Sequence, residues 1–322
     1  MIKVGIVGYG NLGKGIERAC EVFEDMEVIG IFTRRSPEDV KAKSPVYSMD
    51  ELVSFKDKID VCLLAGGSAT DLMEQGPFVL ENFNTVDCYD THAKVPEYFD
   101  KMDRVGKENN TLSLISTGWD PGLFSIQRLF SECILAKGDT YTFWGKGVSQ
   151  GHSDALRRIH GVKNAIQYTI PNQEVIEKIK AGEKLELSTR DKHFRECFVV
   201  LEDGADKKAI TDEIVNMPNY FSDYDTTVHF ISEEELVADH QGMPHGGTVI
   251  RIGETSEGCK QNYEFSLTLD SNPEFTASVA AAYARGVNRA FKEGKTGAIT
   301  VFDLPLSYLS LYSDEELRKN YI

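Results

Sequence analysis

The sequence lacks paired cysteines and any long hydrophobic stretch. Its six cysteines are widely spaced and include no C-x-x-C pair, so neither a disulfide framework nor a zinc site is expected. The chain has no basic segment followed by an apolar core, and no apolar run long enough to span a bilayer. Internal repeats and low-complexity tracts are also absent. These absences favour a cytoplasmic protein with reduced thiols and no bound metal.

Positive charge is scarce as well. The chain has 35 lysines and arginines against 51 aspartates and glutamates, which gives a formal net charge of −16. Such an excess argues against nucleic acid and anionic membranes as partners. Basic groups that bind an anionic ligand must therefore be placed locally. The fractions of hydrophobic and charged residues, 41% and 27%, are those of a soluble globular protein, and 322 residues most simply form two domains.

A glycine-rich turn follows the first predicted strand. Residues 2–7 form a β-branched run typical of a buried strand, and a helical pattern begins after the turn. The turn consists of Gly8, Tyr9, Gly10, Asn11, Leu12 and Gly13. The pattern G-x-G-x-x-G between a strand and a helix allows a tight turn and the close approach of a pyrophosphate, which the helix N-terminus also attracts. Dinucleotide binding is therefore favoured over an ordinary strand–helix turn.

The end of the second predicted strand indicates which dinucleotide binds. Residues 28–32 are followed by Thr33, Arg34 and Arg35, where NAD-binding folds carry a carboxylate for the ribose 2′-hydroxyl. A carboxylate would repel a 2′-phosphate, whereas arginines can pair with it. The alternative is a pair of solvated loop arginines. Their register with the glycine turn predicts NADP.

Strands and helices then alternate as in a doubly wound α/β sheet. Strands are predicted over residues 60–65, 85–90 and 112–116, separated by helices over 71–82 and 96–109. Ligands of such sheets lie beyond the carboxyl ends of the strands, so we expect the three following loops to face one crevice and contact the cofactor. These loops comprise Gly67, Ser68, Ala69 and Thr70; Cys88, Tyr89 and Asp90; and Thr117, Gly118, Trp119, Asp120 and Pro121.

Two carboxylates stand out because they follow strand ends. Asp90 ends one predicted strand and Asp120 comes directly after the next. Facing a nicotinamide, they would suit an amine that must lose protons and become an iminium. Aspartate is also common in turns, and Asp120-Pro121-Gly122 is favourable turn chemistry in its own right. Spacing alone therefore leaves a catalytic role and a turn role open.

The remainder of the chain predicts a second domain. After a helix to residue 136, longer strands with alternating polarity indicate an α+β domain with a mostly antiparallel sheet. A helix over about 275–292 has a face of small residues and is expected to return to the first domain. The predicted division is therefore 1–118 with 275–322 for the dinucleotide, and 119–274 for substrate binding and dimerisation.

Ten long motifs resemble the meso-diaminopimelate dehydrogenases, and the likeness extends from residue 2 to about 300. The motifs are VGYGNLGKGIE, FTRRS, GGSATD, DCYDTH, STGWDPGLFSI, FWGKGVSQGHSDALRRI, QYTIP, MPNYF, GMPHGG and LDSNPEFTAS. The resemblance implies an NADP-dependent homodimer with a Rossmann-type domain. Its reaction would be the oxidative deamination of the D-centre of meso-2,6-diaminopimelate to L-2-amino-6-oxopimelate and ammonia. In reverse, this reductive amination leads to lysine and peptidoglycan precursors.

The resemblance also assigns the residues of a substrate site. Asp90 and Asp120 would hold the reacting amino group, and one of them, or a water that they position, would act as general base. The other substrate contacts it implies are Trp119 and Trp144 as pocket walls, Gln150 and Gly151 at the reacting carboxylate, and Thr169, Arg195, His245 and Asn272 at the far, L-configured carboxylate.

Other readings of these residues stay open. The tryptophans can be core aromatics, Arg195 a charge on a strand surface, and His245 a loop residue. His152, Arg157 and Arg158 belong to the motifs without an assigned role, and His160 and His229 are predicted to be structural.

Two other functions account for part of the pattern. A homoserine dehydrogenase-like or dihydrodipicolinate reductase-like enzyme would use lysine chemistry, for which Lys94 and Lys146 are the nearest candidates. A non-catalytic NADP sensor would need the glycine turn and Arg34-Arg35, but no paired carboxylates and no distant arginine. Assaying NADP reduction with meso-diaminopimelate, with homoserine and without substrate separates the three.

Overall fold

The structure is a computed structural model that describes residues 1–68 and 70–322, except for the side chain of Gln150. By compactness the chain divides into two units, Met1–Ile126 together with Pro273–Ile322, and Gln127–Asn272. Trp119 and Asp120 thus lie in the first unit. The domain boundaries near residues 118 and 274 stay a prediction.

The elements run in chain order from the first unit through the second and back. The first part comprises β1 Ile2–Val7, α1 Asn11–Val22, β2 Met26–Thr33, β3 Val46–Ser48, β4 Val61–Leu64, α2 Leu72–Leu80, β5 Asn84–Asp87, α3 Val95–Asn109, β6 Leu112–Leu114 and α4 Leu123–Ile134. The second unit contains β7 Lys137–Trp144, β8 Gly147–Val148, α5 Gln150–Arg157, β9 Val162–Pro171, α6 Gln173–Lys180, α7 Thr189–Lys192, β10 His193–Leu201, α8 Lys207–Val215, β11 Asp225–Phe230, α9 Glu233–Asp239, β12 His245–Ser256 and β13 Cys259–Leu269. The chain ends with α10 Asn272–Lys292, β14 Gly297–Ile299 and α11 Asp314–Tyr321.

The first unit is built on a seven-stranded parallel sheet. Its strand order is β14-β6-β5-β4-β1-β2-β3, and each neighbouring pair is parallel. The chain leaves β1 towards β2 and later returns to β4 on the other side, so the strand order reverses between β1 and β4. Ligands of doubly wound sheets bind at such a reversal, outside the carboxyl ends of the strands. The predicted α/β fold class is confirmed.

Alternating side chains of the central strands supply two separate cores. Val4 and Ile6 of β1 pack in one core with alanines of α10, whereas Val7 packs in the other with residues of α2 and α3. A Cβ on Gly15 would lie 2.9 Å from the Cβ of Ala277. This glycine and the small residues of α10 therefore allow the two helices to approach closely on one face of the sheet.

The second unit contains two smaller sheets. One has the order β11-β10-β9-β8, and the other β13-β12-β7. All pairs are antiparallel except β10 with β11, which is parallel. The mostly antiparallel prediction is thus confirmed for this unit, which also contains four elements beyond those expected from the sequence, namely β8, α5, α7 and α9.

The sequence predicts a strand over residues 196–201, but strand β10 begins at His193. His193 and Arg195 are buried while Phe194 between them is exposed, so polar residues face inward here. This inverts the usual pattern for a half-buried strand. A search for hydrophobic alternation therefore placed the start of the strand too late.

The structure can be compared with the sequence for three features, namely disulfides, membrane-spanning helices and metal sites. All six cysteines carry free thiols. Within residues 1–68 and 70–322, no helix is long and apolar enough to cross a bilayer. The same residues contain no group of three His, Cys, Asp or Glu side chains that could hold a metal ion.

A buried ion pair joins α10 to the turn before β2. The Nε and Nη2 atoms of Arg285 each donate to Asp25, at 2.6 Å, and Arg285 is only 3% exposed. The paired arginine holds the pKa of Asp25 below its usual value. A carboxyl group with a lowered pKa in the folded state stabilises the protein above its ordinary pKa, and this contribution is lost as the pH falls through the folded-state value.

Asp25→Asn is therefore expected to destabilise the first unit by about 3 kcal/mol near pH 7, because it leaves the buried guanidinium without its anion. The difference between wild type and variant should shrink as the pH falls below about 4. Urea unfolding at several pH values measures it. Lys208→Met breaks an exposed ion pair with Asp212 and should leave the unfolding midpoint unchanged. A pH-independent difference would contradict the assignment to this carboxylate.

Candidate active site

The turn between β1 and α1 has the backbone geometry of a pyrophosphate site. Gly8 has a φ of +92°, a conformation that favours glycine. A Cβ on Gly13 would lie 2.3 Å from the carbonyl oxygen of Gly8, whereas a Cβ on Gly10 would meet no atom within 4 Å. The space before Gly10 is thus open, and the first turn of α1, which starts with Asn11 and Leu12, has no acidic residue. These features fit a dinucleotide phosphate.

The loop after β2 carries both predicted arginines. Arg35 donates through Nη2 to the carbonyl oxygen of Tyr9 at 2.6 Å, and through its backbone N–H to Oγ1 of Thr33 at 3.2 Å. Arg34 donates through Nη2 to Oδ1 of Asp71 at 2.7 Å, and its side chain is 70% exposed. A phosphate can therefore reach Arg34, while Arg35 also braces the glycine turn.

Asp71 connects the arginine loop with the loop after β4. Its Oδ2 accepts the N–H of Gly67 at 3.0 Å while Oδ1 accepts from Arg34. Burial alone would raise the pKa of this carboxyl, but the hydrogen bonds from Gly67 and Arg34 outweigh burial and hold the pKa below its usual range. The carboxylate therefore remains charged near neutral pH, and it stabilises both loops.

The loops after β4 and β5 are also joined. The Oγ atom of Ser68 accepts the N–H of Asp90 at 3.0 Å. Thr70 and Asp90 are exposed, Tyr89 is fully buried, and burial raises the pKa of the Cys88 thiol. The predicted contact at Ala69 lies outside the described residues.

Asp120 lies in a tight turn after β6. The N–H of Gly118 donates to the carbonyl oxygen of Pro121 at 2.9 Å, and a Cβ on Gly122 would lie 2.1 Å from the carbonyl oxygen of Gly118. Asp120 is half-buried, and Trp119 packs edge-to-face on Phe124 with ring centroids 5.2 Å apart. Thr117 and this turn follow β6, so Asp120 and Asp90 both stand at the carboxyl edge of the sheet.

Arg195 is a buried cation in the second unit. It lies on β10 in register with Thr169 of β9 and Thr226 of β11, and only 5% of it is exposed. It donates through Nη1 to Oγ1 of Thr169, and its guanidinium carbon lies 3.8 Å from the ring centre of Tyr224. Among the described side chains, no Asp or Glu pairs with it. Arg195 is thus not the strand-surface charge that alternation also allowed.

Polar atoms around Arg195 also lack partners. In the described part of the chain, its own Nε, the Oγ1 of Thr226 and both amide atoms of Gln167 are buried without a hydrogen bond. Gln167 lies two residues before Thr169 on β9, so both side chains point to the same face of the strand. Buried polar groups in proteins are nearly always hydrogen-bonded, so this face is suited to a polar ligand or to water.

Two histidines near this cation are neutral. His193, which sequence reasoning missed, is 2% exposed, and its Nε2 accepts the N–H of Trp144 at 2.9 Å. Burial, together with the positive charge of Arg195, lowers the pKa of His193 and of His152 to about 4 in each case. At neutral pH, Arg195 therefore carries its charge among uncharged imidazoles.

The remaining predicted substrate residues lie at the ends of elements. The exposed indole of Trp144 stacks on His193 at 5.3 Å. A Cβ on Gly147 would lie 2.4 Å from the ring of His245, so this glycine makes room for the imidazole at the start of β12. The N–H of Asn272, at the start of α10, donates to the carbonyl oxygen of Met243 at 2.9 Å. Gly151 is exposed, with no atom within 4 Å of the position of a Cβ.

The other motif residues have local partners. Arg157 donates through Nη1 to the carbonyl oxygen of Ala165 at 2.6 Å, and Nδ1 of His152 lies 2.7 Å from Oγ of Ser149. Lys146 lies over the ring of Tyr168, 5.6 Å from its centre, and Lys94 is an exposed residue of a short 3-10 turn. Neither lysine lies in a buried polar site of the kind that surrounds Arg195.

The strand order of the parallel sheet reverses between β1 and β4, and one edge of the sheet carries an open glycine turn and two carboxylates. These features define a Rossmann-type, dinucleotide-dependent oxidoreductase. Comparison with known proteins narrows this class. The model of the diaminopimelic acid dehydrogenase C-terminal domain matches residues 118–271. The meso-diaminopimelate D-dehydrogenase of Ureibacillus thermosphaericus is 58% identical over 100% of this chain and 99% of its own. The chain belongs to the meso-diaminopimelate dehydrogenase family.

Solved structures agree with this assignment. A mutant meso-diaminopimelate dehydrogenase of Clostridium tetani with diaminopimelate superposes with a TM-score of 0.95 at 54% identity, covering 100% of both chains. An engineered D-amino acid dehydrogenase bound to NADP+ gives 0.88 at 41% identity, covering 100% of this chain and 99% of the other. Family membership therefore removes the sensor and the lysine-dependent reductases as readings of this chain.

Replacing Arg34 and Arg35 with alanine is expected to weaken NADPH binding tenfold or more, because a well-formed charge-assisted hydrogen bond contributes roughly 1.5–3 kcal/mol. NADH binding should change little, since NADH has no 2′-phosphate. Fluorescence titration of both cofactors measures the two affinities. Arg18→Ala is the control. Arg18 is an exposed residue of α1 that pairs with Glu274 of α10, and its replacement should leave both affinities unchanged. Equal losses for NADH and NADPH would mean that the arginines only support the fold.

Proposed function

We propose that this chain catalyses the NADP-dependent oxidative deamination of the D-centre of meso-2,6-diaminopimelate. The products are L-2-amino-6-oxopimelate and ammonia, and the reverse reaction is a reductive amination that leads to lysine and peptidoglycan precursors. The observation that carries the proposal is the buried Arg195, which has no Asp or Glu partner among the described residues, in a chain 58% identical to a meso-diaminopimelate D-dehydrogenase. A buried cation is costly without an anion, and the far carboxylate of this substrate supplies one.

The Clostridium tetani mutant supports the assignment of the distal residues. Its six substituted positions were, in chain order, Gln, Thr, Arg, Pro, His and Asn. This chain has the same residue types in the same order and at the same intervals: Gln150, Thr169, Arg195, Pro244, His245 and Asn272. Substitution of this set in a relative studied with diaminopimelate is expected if the set contacts the substrate.

At the reacting end, the carboxylates act on the amino group. NADP, when bound, supplies the acceptor for the hydride of the D-carbon. Asp90 and Asp120 hold the ammonium group by charge and hydrogen bonds, and they stabilise the positive charge that remains on nitrogen as the iminium forms. One of them, or a water that they position, takes the proton. Water then adds to the iminium carbon, and ammonia leaves.

Three further contacts orient this end. Gly151 has open space where a side chain would be, so backbone at Gln150 and Gly151 can approach the reacting carboxylate. The indoles of Trp119 and Trp144 form apolar walls and exclude bulk water, which strengthens the interaction of the carboxylates with the cation.

At the other end, the protein holds the L-configured centre away from the hydride acceptor. Arg195 and Thr169 bind the distal carboxylate, with His245 and Asn272 beside them. The substrate carries chemically identical groups at its two ends, so the position of this anchor decides which end reacts. Because the imidazoles of His193 and His152 are neutral, the carboxylate is held chiefly by one guanidinium.

The assembly and location of the enzyme complete the proposal. A homodimer in the cytoplasm, without nucleic acid or membrane partners, fits the family resemblance and the net charge of −16. Each of these points stays a prediction.

The enzyme should reduce NADP with meso-diaminopimelate but not with homoserine or the L,L isomer. Asp120→Asn keeps the shape of the side chain but removes the negative charge, so kcat should fall roughly 10²–10⁴-fold while NADPH affinity stays nearly intact. Asp303→Asn alters an exposed turn in the same unit, where Asp303 accepts the N–H of Thr300, and should keep wild-type kcat. An Asp120 variant within a few-fold of wild type would show that this residue serves only the turn.

Arg195→Met tests the distal anchor in a double cycle with two substrates. For meso-diaminopimelate, the variant should lose roughly 2–5 kcal/mol in kcat/KM, the range for removing one side of a buried charge pair. D-Lysine lacks the distal carboxylate, so it should be a very poor substrate for wild type. The Arg195→Met substitution should lower its kcat/KM little further. Steady-state kinetics on both substrates measure the coupling.

Arg251→Met is the matched control for this cycle. Arg251 is also a buried arginine of the second unit, but it donates to the carbonyl oxygen of Leu135 at 2.8 Å and to Oγ1 of Thr140 at 2.6 Å. Its replacement should lower stability without discriminating between the substrates. If Arg195→Met reduces both activities equally, the arginine supports the fold instead of binding the far carboxylate.

A further inference from the structure

A buried aspartate ends β5 and holds two loops at once. The Oδ1 atom of Asp87 accepts the backbone N–H groups of Tyr89 and Ser116, each at 3.0 Å. Its Oδ2 accepts the hydroxyl of Tyr98 at 2.8 Å, and its carbonyl oxygen accepts the N–H of Thr117 at 2.8 Å. One residue thus fixes the start of the loop that leads to Asp90 and the start of the loop that leads to Asp120.

This carboxyl group is unusual because it is fully buried without a cation. Asp87 is 0% exposed, and among the described residues no Lys, Arg or His pairs with it. Burial raises its pKa to about 6, although the hydrogen bonds from Tyr89, Ser116 and Tyr98 oppose the rise. A buried acid costs stability unless its hydrogen bonds are complete. Its three donors therefore indicate a role that a simple apolar residue at this position would not fill.

One of the loop positions that Asp87 holds has a backbone conformation that residues other than glycine rarely adopt. Ser116 has a φ of +57° without being a glycine, a conformation that carries some strain. Its N–H bond to Asp87 is formed in that conformation. The following residue donates to the Asp87 carbonyl oxygen, and the Gly118–Gly122 turn comes next. The position of Asp120 therefore depends on how β6 is joined to β5 at Asp87.

The tyrosines around Asp87 extend the same arrangement. The rings of Tyr89 and Tyr98 stack with centroids 4.2 Å apart. A Cβ on Gly76 would lie 2.2 Å from the hydroxyl oxygen of Tyr98, so a glycine in α2 makes room for the hydroxyl group that donates to Asp87. Helices α2 and α3 thus support the carboxylate from behind the loops.

We propose that Asp87 is a positioning residue for the reaction, which sets the places of Asp90 and Asp120 by accepting hydrogen bonds from both of their loops. Asp87 itself touches neither substrate nor cofactor in this role. The inference rests on the proposed function, because that function gives Asp90 and Asp120 their chemistry.

Two substitutions at Asp87 distinguish a positioning role from a requirement for a side chain of this size. Asp87→Ala removes the acceptor for both loops, and misplacement of reacting groups by about 1 Å can cost about 10²-fold in rate, so kcat should fall by about that factor. Asp87→Asn keeps one carbonyl oxygen for the two N–H groups and should restore kcat to within about tenfold of wild type. KM for meso-diaminopimelate should change much less than kcat, because the distal anchor is untouched.

Thr85→Ala provides the matched control. Thr85 lies on the same strand, is also 0% exposed, and donates to Oγ of Ser113 on β6 at 2.9 Å. It thus joins the same two strands without touching either loop. Its variant should lose stability comparably to Asp87→Ala and keep wild-type kcat per folded molecule. Tyr98→Phe, which removes only the bond to Oδ2, should lower kcat by a few-fold at most.

Amide hydrogen exchange provides a readout that does not depend on activity. In Asp87→Ala, peptides that contain Tyr89 and Ser116 should exchange faster, whereas in Thr85→Ala their exchange should stay close to wild type. The inference is overturned if Asp87→Ala keeps the kcat of Thr85→Ala, if Asp87→Asn loses as much as Asp87→Ala, or if exchange at both loops is unaltered. Failure of the proposed function shows itself differently, as a wild-type protein that does not reduce NADP with meso-diaminopimelate.

Discussion

A buried charge that has no counterion among the described residues is the constraint on which the second unit depends. Arg195 lies on the central strand pair of its sheet, with threonines in register on both sides. Its Nη1 donates to Thr169, yet its Nε and the Oγ1 of Thr226 have no partner among the described residues. The folded unit therefore keeps unsatisfied hydrogen-bonding groups next to the buried positive charge of Arg195. An arginine fork in this state favours a planar carboxylate, because two parallel N–H···O bonds satisfy both groups. Under the proposed function, the distal carboxylate of the substrate completes this pairing.

The first unit contains a buried acid, which is satisfied by hydrogen bonds. Asp87 is a buried acid near the carboxyl edge of the sheet, and it is satisfied by two backbone N–H groups and a hydroxyl, with no cation beside it in the described part of the chain. Under the proposed function, a cation there would compete with the substrate ammonium for Asp90 and Asp120. Backbone donors hold the loops equally well and add no net charge. The hydrogen-bonded acid thus keeps the loops in place while the exposed carboxylate of Asp90 stays available.

The sequence predicts the dinucleotide half of the protein far better than the substrate half. The turn at Gly8–Gly13 can be predicted because two of its glycines are required locally, Gly8 by its φ of +92° and Gly13 by its contact with the carbonyl oxygen of Gly8. The role of His193 could not be predicted, since it comes from a contact with Trp144, distant in sequence. Arg195 was named through family resemblance, whereas its burial among polar neighbours inverts the hydrophobic alternation by which strands are recognised. The role of Asp87 cannot be predicted either: the sequence places it in the middle of a strand over 85–90, and only the folded structure shows that β5 ends at Asp87 and that its carboxylate accepts an N–H from the loop after β6.

Under the proposed function, the neutrality of the surrounding histidines would make the distal site selective. If His193 and His152 were charged at neutral pH, three cations would attract any anion, and selection by shape would be weak. Burial and the charge of Arg195 lower both pKa values to about 4, so one guanidinium carries the charge and its plane sets the orientation. A single oriented cation discriminates by geometry, whereas a cluster of cations discriminates chiefly by charge. That distinction matters for a substrate with a carboxylate at each end. Both ends of diaminopimelate satisfy a demand for negative charge, so under the proposed function the orientation of the Arg195 fork is what distinguishes one end from the other.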